Sequence, residues 1–460
     1  MRSRRTAALV VGVALVAAAC GRSGSPAARD GGDTTSTSAA PTGGAADFGS
    51  LTDVCGDGTP AASTSQGVTG SDLKVGVFSD AGAQFRPGLN QELFDVATVF
   101  SKWCNDRGGL DGRTIVVDQH DSALFEVKSR MLEACRDDFY LVGGGAVFDQ
   151  DGVTPRLQCL LPEMPAYVVS DQARGADLST PGNPNPLGTM NIGAMRYLDR
   201  KFPADTDHIG LLTGDVNTTK VVAGYLRDAA TDELGWKITY DDVYPAAGVP
   251  DWTPYAQKLR DAKVKGLIWV GEPESLAKLL GALGDIGYRL DFIRTDANHY
   301  DQNLIDTAGP ALANAPVYVQ TGYEPFEGAT EDSATGQYLA AFDEYLPDGK
   351  SRTGLAIAAW SSWLLFAQAA RECRDDVSRR CIHDAAKRVK GWTGGGLHAP
   401  TYEPCFAIER ATPQGFTRVR DIDPTDGVFN CEKTNAIDIP IPPGAVTTLA
   451  DVGRSISDLR

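Results

Sequence analysis

Leu73-Lys-Val-Gly-Val-Phe78 is an apolar run broken by one lysine, and Gly88–Asp106 follows it with Leu89, Leu93, Val96, Val99 and Phe100 on one helical face. Thr114-Ile-Val-Val-Asp118 is the next short apolar run. A buried strand, an amphipathic helix and a second buried strand, in that order, make a βαβ unit. The unit recurs at once. Val127–Asp137 reads as a helix, Tyr140–Val142 as a strand running into Gly143, Gly144 and Gly145, Thr154–Leu161 as a helix and Ala166–Val169 as a strand. This alternation predicts an α/β fold whose parallel sheet is covered by helices on both faces.

Further along, Ser179–Gly188 carries Pro181, Pro184 and Pro186 and breaks the pattern, as a crossing between domains would. The pattern then restarts. Helices are expected at Met190–Lys201, Lys220–Leu234, Tyr255–Ala262 and Ser275–Ile286, with strands at His208–Thr213, Ile238–Tyr244, Gly266–Val270, Phe292–Thr295 and Val317–Thr321. Ser333–Tyr345, Gly354–Glu372 and Ile382–Val389 read as helices without strands between them, and Cys405–Glu409 with Phe416–Val419 as a closing hairpin.

Toward the N-terminus, Arg2, Arg4 and Arg5 precede an apolar run from Ala7 to Ala19 that leads directly into Cys20. The run is too short to cross a bilayer, which takes roughly 20 residues, and it resembles a bacterial lipoprotein signal. Residues 1–19 are thus expected to be removed and Cys20 acylated. Gly21–Ser50 is mostly Gly, Ser, Thr, Ala and Pro, with Phe48 its one large apolar residue, and reads as a flexible tether about 30 Å from end to end.

The 460 residues are 42% hydrophobic and 22% charged, the balance of a soluble globular chain, and two domains are the expectation at this length. With 43 Lys and Arg against 60 Asp and Glu, the net charge of −17 disfavours nucleic acid as a partner. The nine cysteines contain no Cys-x-x-Cys pair, and the five histidines, at 120, 208, 299, 383 and 398, form no His-Glu-x-x-His. No G-x-S-x-G elbow, G-x-G-x-x-G or phosphate loop occurs either. Neither an enzyme, a metal site nor a cofactor is expected. With Cys20 consumed by lipid, eight cysteines remain in an exported chain, which suits four disulfides. Sequence alone allows 105 pairings; the economical short-range reading joins Cys55 to Cys104, Cys135 to Cys159, Cys373 to Cys381 and Cys405 to Cys431.

Ligands of open parallel sheets bind beyond the carboxyl ends of the strands, so the loops there are the candidate site. They offer Gln84 and Phe85, Phe148 and Asp149, Gln172 and Arg174, Asp215 and Asn217, Glu272, and Asp296, Asn298 and His299. Gly143–Gly145 reads equally well as a tight turn or as a loop whose N–H groups meet a ligand carboxylate. Glu272 and Asp296 suit an ammonium group, and Arg174 suits a carboxylate at the other end of a small zwitterion.

Six segments carry a resemblance to a family: Leu73-Lys-Val-Gly-Val-Phe-Ser, Trp103-Cys-Asn-Asp-Arg-Gly-Gly-Leu-Asp-Gly-Arg, Leu141-Val-Gly-Gly-Gly, His208-Ile-Gly-Leu-Leu, Gly266-Leu-Ile-Trp-Val-Gly and Tyr318-Val-Gln-Thr-Gly-Tyr. In their order, over about residues 70–432, the chain resembles the type I periplasmic binding proteins that serve ABC importers for leucine, isoleucine, valine, amides and related solutes. The resemblance implies a two-lobed clamshell with three hinge crossings. The first lobe is 72–186 plus 324–394 and the second 187–323 plus 395–432, with a tether at 20–70 and a tail at 433–460. It also implies a small-molecule ligand, an ABC permease as partner and a lipid anchor on the outer face of the bacterial cell membrane. Where the family places small hydroxyl residues for an amino-acid carboxylate, this chain has Ala146, Val147, Phe148 and Asp149, which argues against branched-chain amino acids. A tethered sensor or adhesion module on the same clamshell is the alternative.

Overall fold

The computed structural model of the chain describes residues 46–460 apart from 64, 184, 375, 401–403, 423, 425 and 426. The expected signal at 1–19, Cys20 and most of the tether lie outside the described residues. Four parallel strands make the first sheet, in the order Thr114–Asp121, Asp72–Ser79, Tyr140–Val142, Glu163–Met164. The central strand Asp72–Ser79 is buried on both faces, which explains why it reads as a near-continuous apolar run. Seven strands make the second sheet. Ile238–Tyr244, Ile209–Gly214, Gly266–Val270, Phe292–Thr295 and Val317–Thr321 run parallel in that spatial order, and the hairpin Ala407–Thr412 and Gly415–Arg418 adds antiparallel at the edge.

The chain returns to the first lobe after the second sheet's parallel strands. Helix Gly354–Glu372 packs on helix Gln91–Asn105, and Phe100 and Trp103 of the one meet Trp360 and Trp363 of the other at centroid distances of 5.1–5.9 Å. Each buried aromatic of this kind contributes about 1.5–3 kcal/mol by leaving water, and aromatic pairs add about 0.5–1.5 kcal/mol. The four disulfides of the structure are Cys55–Cys104, Cys135–Cys159, Cys373–Cys381 and Cys405–Cys431.

The helix expected at Met190–Lys201 begins at Gly193, since Thr189–Asn191 is a strand, and three further segments differ from the sequence reading. Residues from Ala46 onward, read as part of the tether, form a hairpin of Ala46–Phe48 and Leu51–Cys55; Phe48 is buried against Trp103 and Trp360, and Cys55 is stapled to helix Gln91–Asn105. One well-placed aromatic and one disulfide outweigh the polar composition around them. The strand expected at Ala166–Val169 lies instead at Glu163–Met164; past Pro165 one further backbone bond, Ala166 N to Gly144 O at 2.8 Å, reaches the neighbouring strand and the regular ladder ends. The tail is part of the fold. Ala436–Asp438 pairs antiparallel with Thr189–Asn191 at the first crossing, and the chain then passes to the first lobe, where Leu449 and Leu459 are buried with Val153, Leu157 and Leu178.

Candidate functional site

Strand Asp72–Ser79 ends in Asp80, whose side chain is fully buried and holds three loops together. Its Oδ1 accepts from Ser122 Oγ at 2.7 Å and Leu124 N at 2.8 Å, and its Oδ2 accepts from Val147 N at 2.8 Å. The sequence reading passed over Asp80; an acid directly after the first strand was the available signal. The Asp80 bracket pins an unusual backbone, since Ala123 and Leu124 both adopt left-handed φ values of 45° and 74°. Non-glycine residues hold that conformation only when their surroundings enforce it. The next residue, Phe125, is 71% exposed and stacks on Phe148 with centroids 5.5 Å apart, while Phe85 in the neighbouring loop is 67% exposed beside the exposed Gln84.

Gly143, Gly144 and Gly145 are a packing device. A Cβ at Gly144 would lie 2.4 Å from the backbone N of Phe78, and one at Gly145 2.4 Å from the Tyr167 ring. The N–H of Gly145 donates to Phe78 O and that of Gly143 to Met164 O, so neither is free for a ligand carboxylate.

Asp149 and Arg174 are also engaged. Asp149 Oδ2 accepts from Val169 N at 2.7 Å and its Oδ1 from Ser170 N at 3.2 Å, and burial pushes its pKa up to about 6 against those hydrogen bonds. Arg174, expected to hold a ligand carboxylate, donates from Nε to Asn185 O at 3.2 Å and from Nη2 to Pro186 O at 2.7 Å, with Asp171 3.6 Å away. The proline-rich crossing has few N–H groups with which to meet its own carbonyls, and the guanidinium meets them instead. Asp171 accepts from the hydroxyl of Tyr225 on the second lobe at 3.0 Å, and Gln172 stands half-buried beside it.

On the second lobe, Asn217 is exposed at the start of helix Asn217–Asp228, and Asp215 pairs with Lys220 at 2.8 Å. Glu272 caps helix Pro273–Asp285 and accepts from Tyr244 OH at 2.7 Å. Asp296 accepts from Asn298 N at 3.1 Å. Burial raises its pKa, but the hydrogen bond and charge of His299 and the charge of Arg294 outweigh that and hold it below the usual carboxylate range. His299 points into the lobe, bonded through Nδ1 to the Thr295 hydroxyl, which removes it from the set that faces the opposite lobe.

Like the contact of Asp171 with Tyr225, further lobe-to-lobe contacts were not foreseen. Arg86 Nη2 meets Glu274 Oε2 at 2.5 Å, and Asn183 of the first crossing donates to Tyr323 OH at 3.0 Å. Between the loop Ser170–Gln172 and the helix start Asn217–Val221 lies a cavity of about 240 Å³, and Pro442 and Ala445 of the tail also line it.

Two clusters bear on enzyme or metal chemistry. Ser361 Oγ lies 2.8 Å from His398 Nε2, but both are fully enclosed, and His398 Nδ1 faces the Ala399 carbonyl instead of an acid. Burial pushes His398 down to about 4, so it stays neutral. Asp118, His120 and Asp138 are close enough to share a cation, and Lys74 Nζ stands 2.7 Å from Asp118 and 3.9 Å from Asp138. That ammonium group supplies the charge the two acids need.

Residues 193–409 match the model of the family described as periplasmic binding protein. Solved structures share the fold at low identity. They include a fatty acid ABC transporter substrate-binding protein from Thermomonospora curvata (15% identity, TM-score 0.67, covering 81% of this chain and 96% of that one). The branched-chain amino acid transporter substrate-binding protein LivJ from Streptococcus pneumoniae, in complex with isoleucine, matches at 15% identity and TM-score 0.62, covering 76% of this chain and 100% of its own. The leucine-binding protein LivK from Thermotoga maritima matches at 11% and 0.59, covering 75% and 97%. No curated protein matches the sequence.

Proposed function

We propose, for a chain that is a type I periplasmic binding protein in fold, that it captures a small solute between its lobes and delivers it to an ABC importer. The family is one of solute-binding proteins that act outside the cytoplasm, not of enzymes. Among the described residues no helix is long and apolar enough to cross a membrane. The proposal includes removal of residues 1–19 and attachment to the outer face of the cell membrane by lipid on Cys20, on the strength of the Arg-rich start, the apolar run Ala7–Ala19 and the cysteine that follows it. The observation that carries the reading is the opposition of the strand-end loops and helix starts of the two lobes, with Arg86 paired to Glu274 and Asp171 bonded to Tyr225 of helix Asn217–Asp228.

In this reading the solute is small, with a polar, amino-acid-like or amide-like head. Glu272 and Asp296 turn that head toward the second lobe, where an ammonium group satisfies partly dehydrated carboxylates. Arg174 is left out of the head's contacts, because its Nε and Nη2 are turned to the crossing backbone and its Nη1 stands by Asp171. Calorimetry on Glu272→Gln and Asp296→Asn tests the head: each change is expected to weaken binding by roughly 1.5–3 kcal/mol. Unchanged affinity in both variants overturns it. Cys20→Ala is expected to release the protein from membranes, and retention there removes the lipid anchor from the proposal.

A further inference from the structure

Phe85, Phe125 and Phe148 stand on the three loops that follow the first three strands of the first sheet, on the edge that meets the second lobe through Arg86. Exposed large apolar side chains are ordinary when scattered, but the exposed Phe85 and Phe125 and the half-buried Phe148, on the strand-end loops of one cleft edge, are not scattered. Two of them stack on each other. The loop that presents Phe125 is also costly to build. Ala123 and Leu124 sit in left-handed backbone, and the buried Asp80 carboxylate holds the turn by accepting from Ser122 Oγ and Leu124 N and ties it to the Phe148 loop through Val147 N. Strain kept in place by a buried charged bracket, immediately before a ring left in solvent, marks a group that is displayed rather than left over. Arg86, on the loop that carries Phe85, is paired with Glu274, and Arg174 is turned to the crossing backbone.

We propose that the solute carries an apolar body of at least the size of a phenyl ring, and that Phe125 and Phe148, with Phe85 at the lip, form the wall it lies on. The inference rests on the solute-binding reading above and adds the chemical class of the part that faces the first lobe. A polar head toward Glu272 and Asp296 and an apolar body on the phenylalanines make the solute amphipathic.

The test uses the full chain and six probes, which offer three head groups in a short and a phenyl-bearing form. These are ethylamine and phenethylamine, propanamide and 3-phenylpropanamide, and propanoate and 3-phenylpropanoate. Saturation-transfer NMR and titration at millimolar concentration read binding for the wild type and for Phe125→Ser with Phe148→Ser. Both rings are substantially solvent-exposed or half-buried, so the double variant is expected to fold, and its circular dichroism and melting temperature confirm that separately. The expected result is that at least one phenyl-bearing probe binds at least tenfold more tightly than its short partner and loses at least tenfold in the double variant. If no phenyl-bearing probe binds, if the short partner binds as well, or if the double variant binds unchanged, the apolar wall is wrong. Binding of the phenyl carboxylate or amide without the amine keeps the wall and overturns the ammonium head. Binding only of solutes with no apolar body of that size, with closure of the lobes, keeps the solute-binding reading and overturns the wall.

Discussion

Arg86 Nη2 and Glu274 Oε2 lie 2.5 Å apart and join the loop after the first strand of one sheet to the first turn of helix Pro273–Asp285 beside the other. Burial raises the Glu274 pKa, but the charge and hydrogen bond of Arg86 outweigh that and lower it, so the pair holds above the carboxylate range and is lost as the pH falls through it. Each side chain is about a third exposed, which limits the pair to roughly 0.2–1 kcal/mol. Glu274→Gln is therefore expected to move the balance of closed and open forms toward open by up to about fivefold. Energy transfer between dyes on the two lobes measures it, and an unchanged distribution would show that the pair does not hold the lobes together.

Asp80→Ala leaves Leu124 N and Val147 N without their acceptor inside the first lobe. The expected cost is about 3 kcal/mol or more, since hydrogen bonds to a charged group are worth roughly 1.5–3 kcal/mol each. Chemical denaturation reads this directly. Asp80→Asn keeps one carbonyl acceptor and is expected to lose less; equal losses in the two variants would remove the bracket from the account.

Leu449→Asp places a charge where the tail docks among Val153, Leu157 and Leu178. The tail also donates Leu449 N to Asp177 Oδ2 at 2.8 Å and Arg454 Nε to Gln158 O at 3.0 Å. Undocking at a cost of about 2–4 kcal/mol is expected, seen as new protease cleavage between Ile439 and Leu449 while the rest of the chain stays resistant. Wild-type resistance in the variant would mean that the tail is held without its leucine anchor.

Glu92 lies buried in helix Gln91–Asn105, and burial pushes its pKa up to about 7 against the opposing charge of Lys350. A carboxyl raised above its unfolded value favours the folded state while it is protonated, and that advantage is lost as the pH rises from about 4.5 to about 7. Glu92→Gln is expected to melt higher than the wild type at pH 8 and to lose most of that lead at pH 4.5. A difference that does not change with pH would exclude Glu92 as the titrating group.

The fold was legible in the sequence because its central strands are buried on both faces and its helices on one, so both patterns survive in the residues. Tyr140–Val142 and Gly266–Val270 fall where the apolar runs place them, and the edge strand Ile238–Tyr244 keeps an alternation of half-buried and exposed residues. Phe48, Leu449 and Leu459 were not legible, since a single apolar residue in a polar stretch carries no period and docks only against a surface assembled from distant segments. The loops of the site were legible as loops, but the partners of their side chains were not. Arg174 reads as a free cation until the carbonyls of Asn185 and Pro186 are folded back on it, and Arg86 reads as an ordinary surface residue until Glu274 arrives from the other lobe.

Solute capture is the central claim, and thermal unfolding across a panel of amino acids, amides, polyamines and aromatic acids tests it most directly. A solute at about 100 times its dissociation constant adds about 2.7 kcal/mol to the stability of the form that binds it. The account predicts that at least one member raises the melting temperature in a concentration-dependent way and leaves the solution chemically unchanged after incubation. A panel that shifts nothing at any concentration, or a solute that is converted to a product, would contradict it.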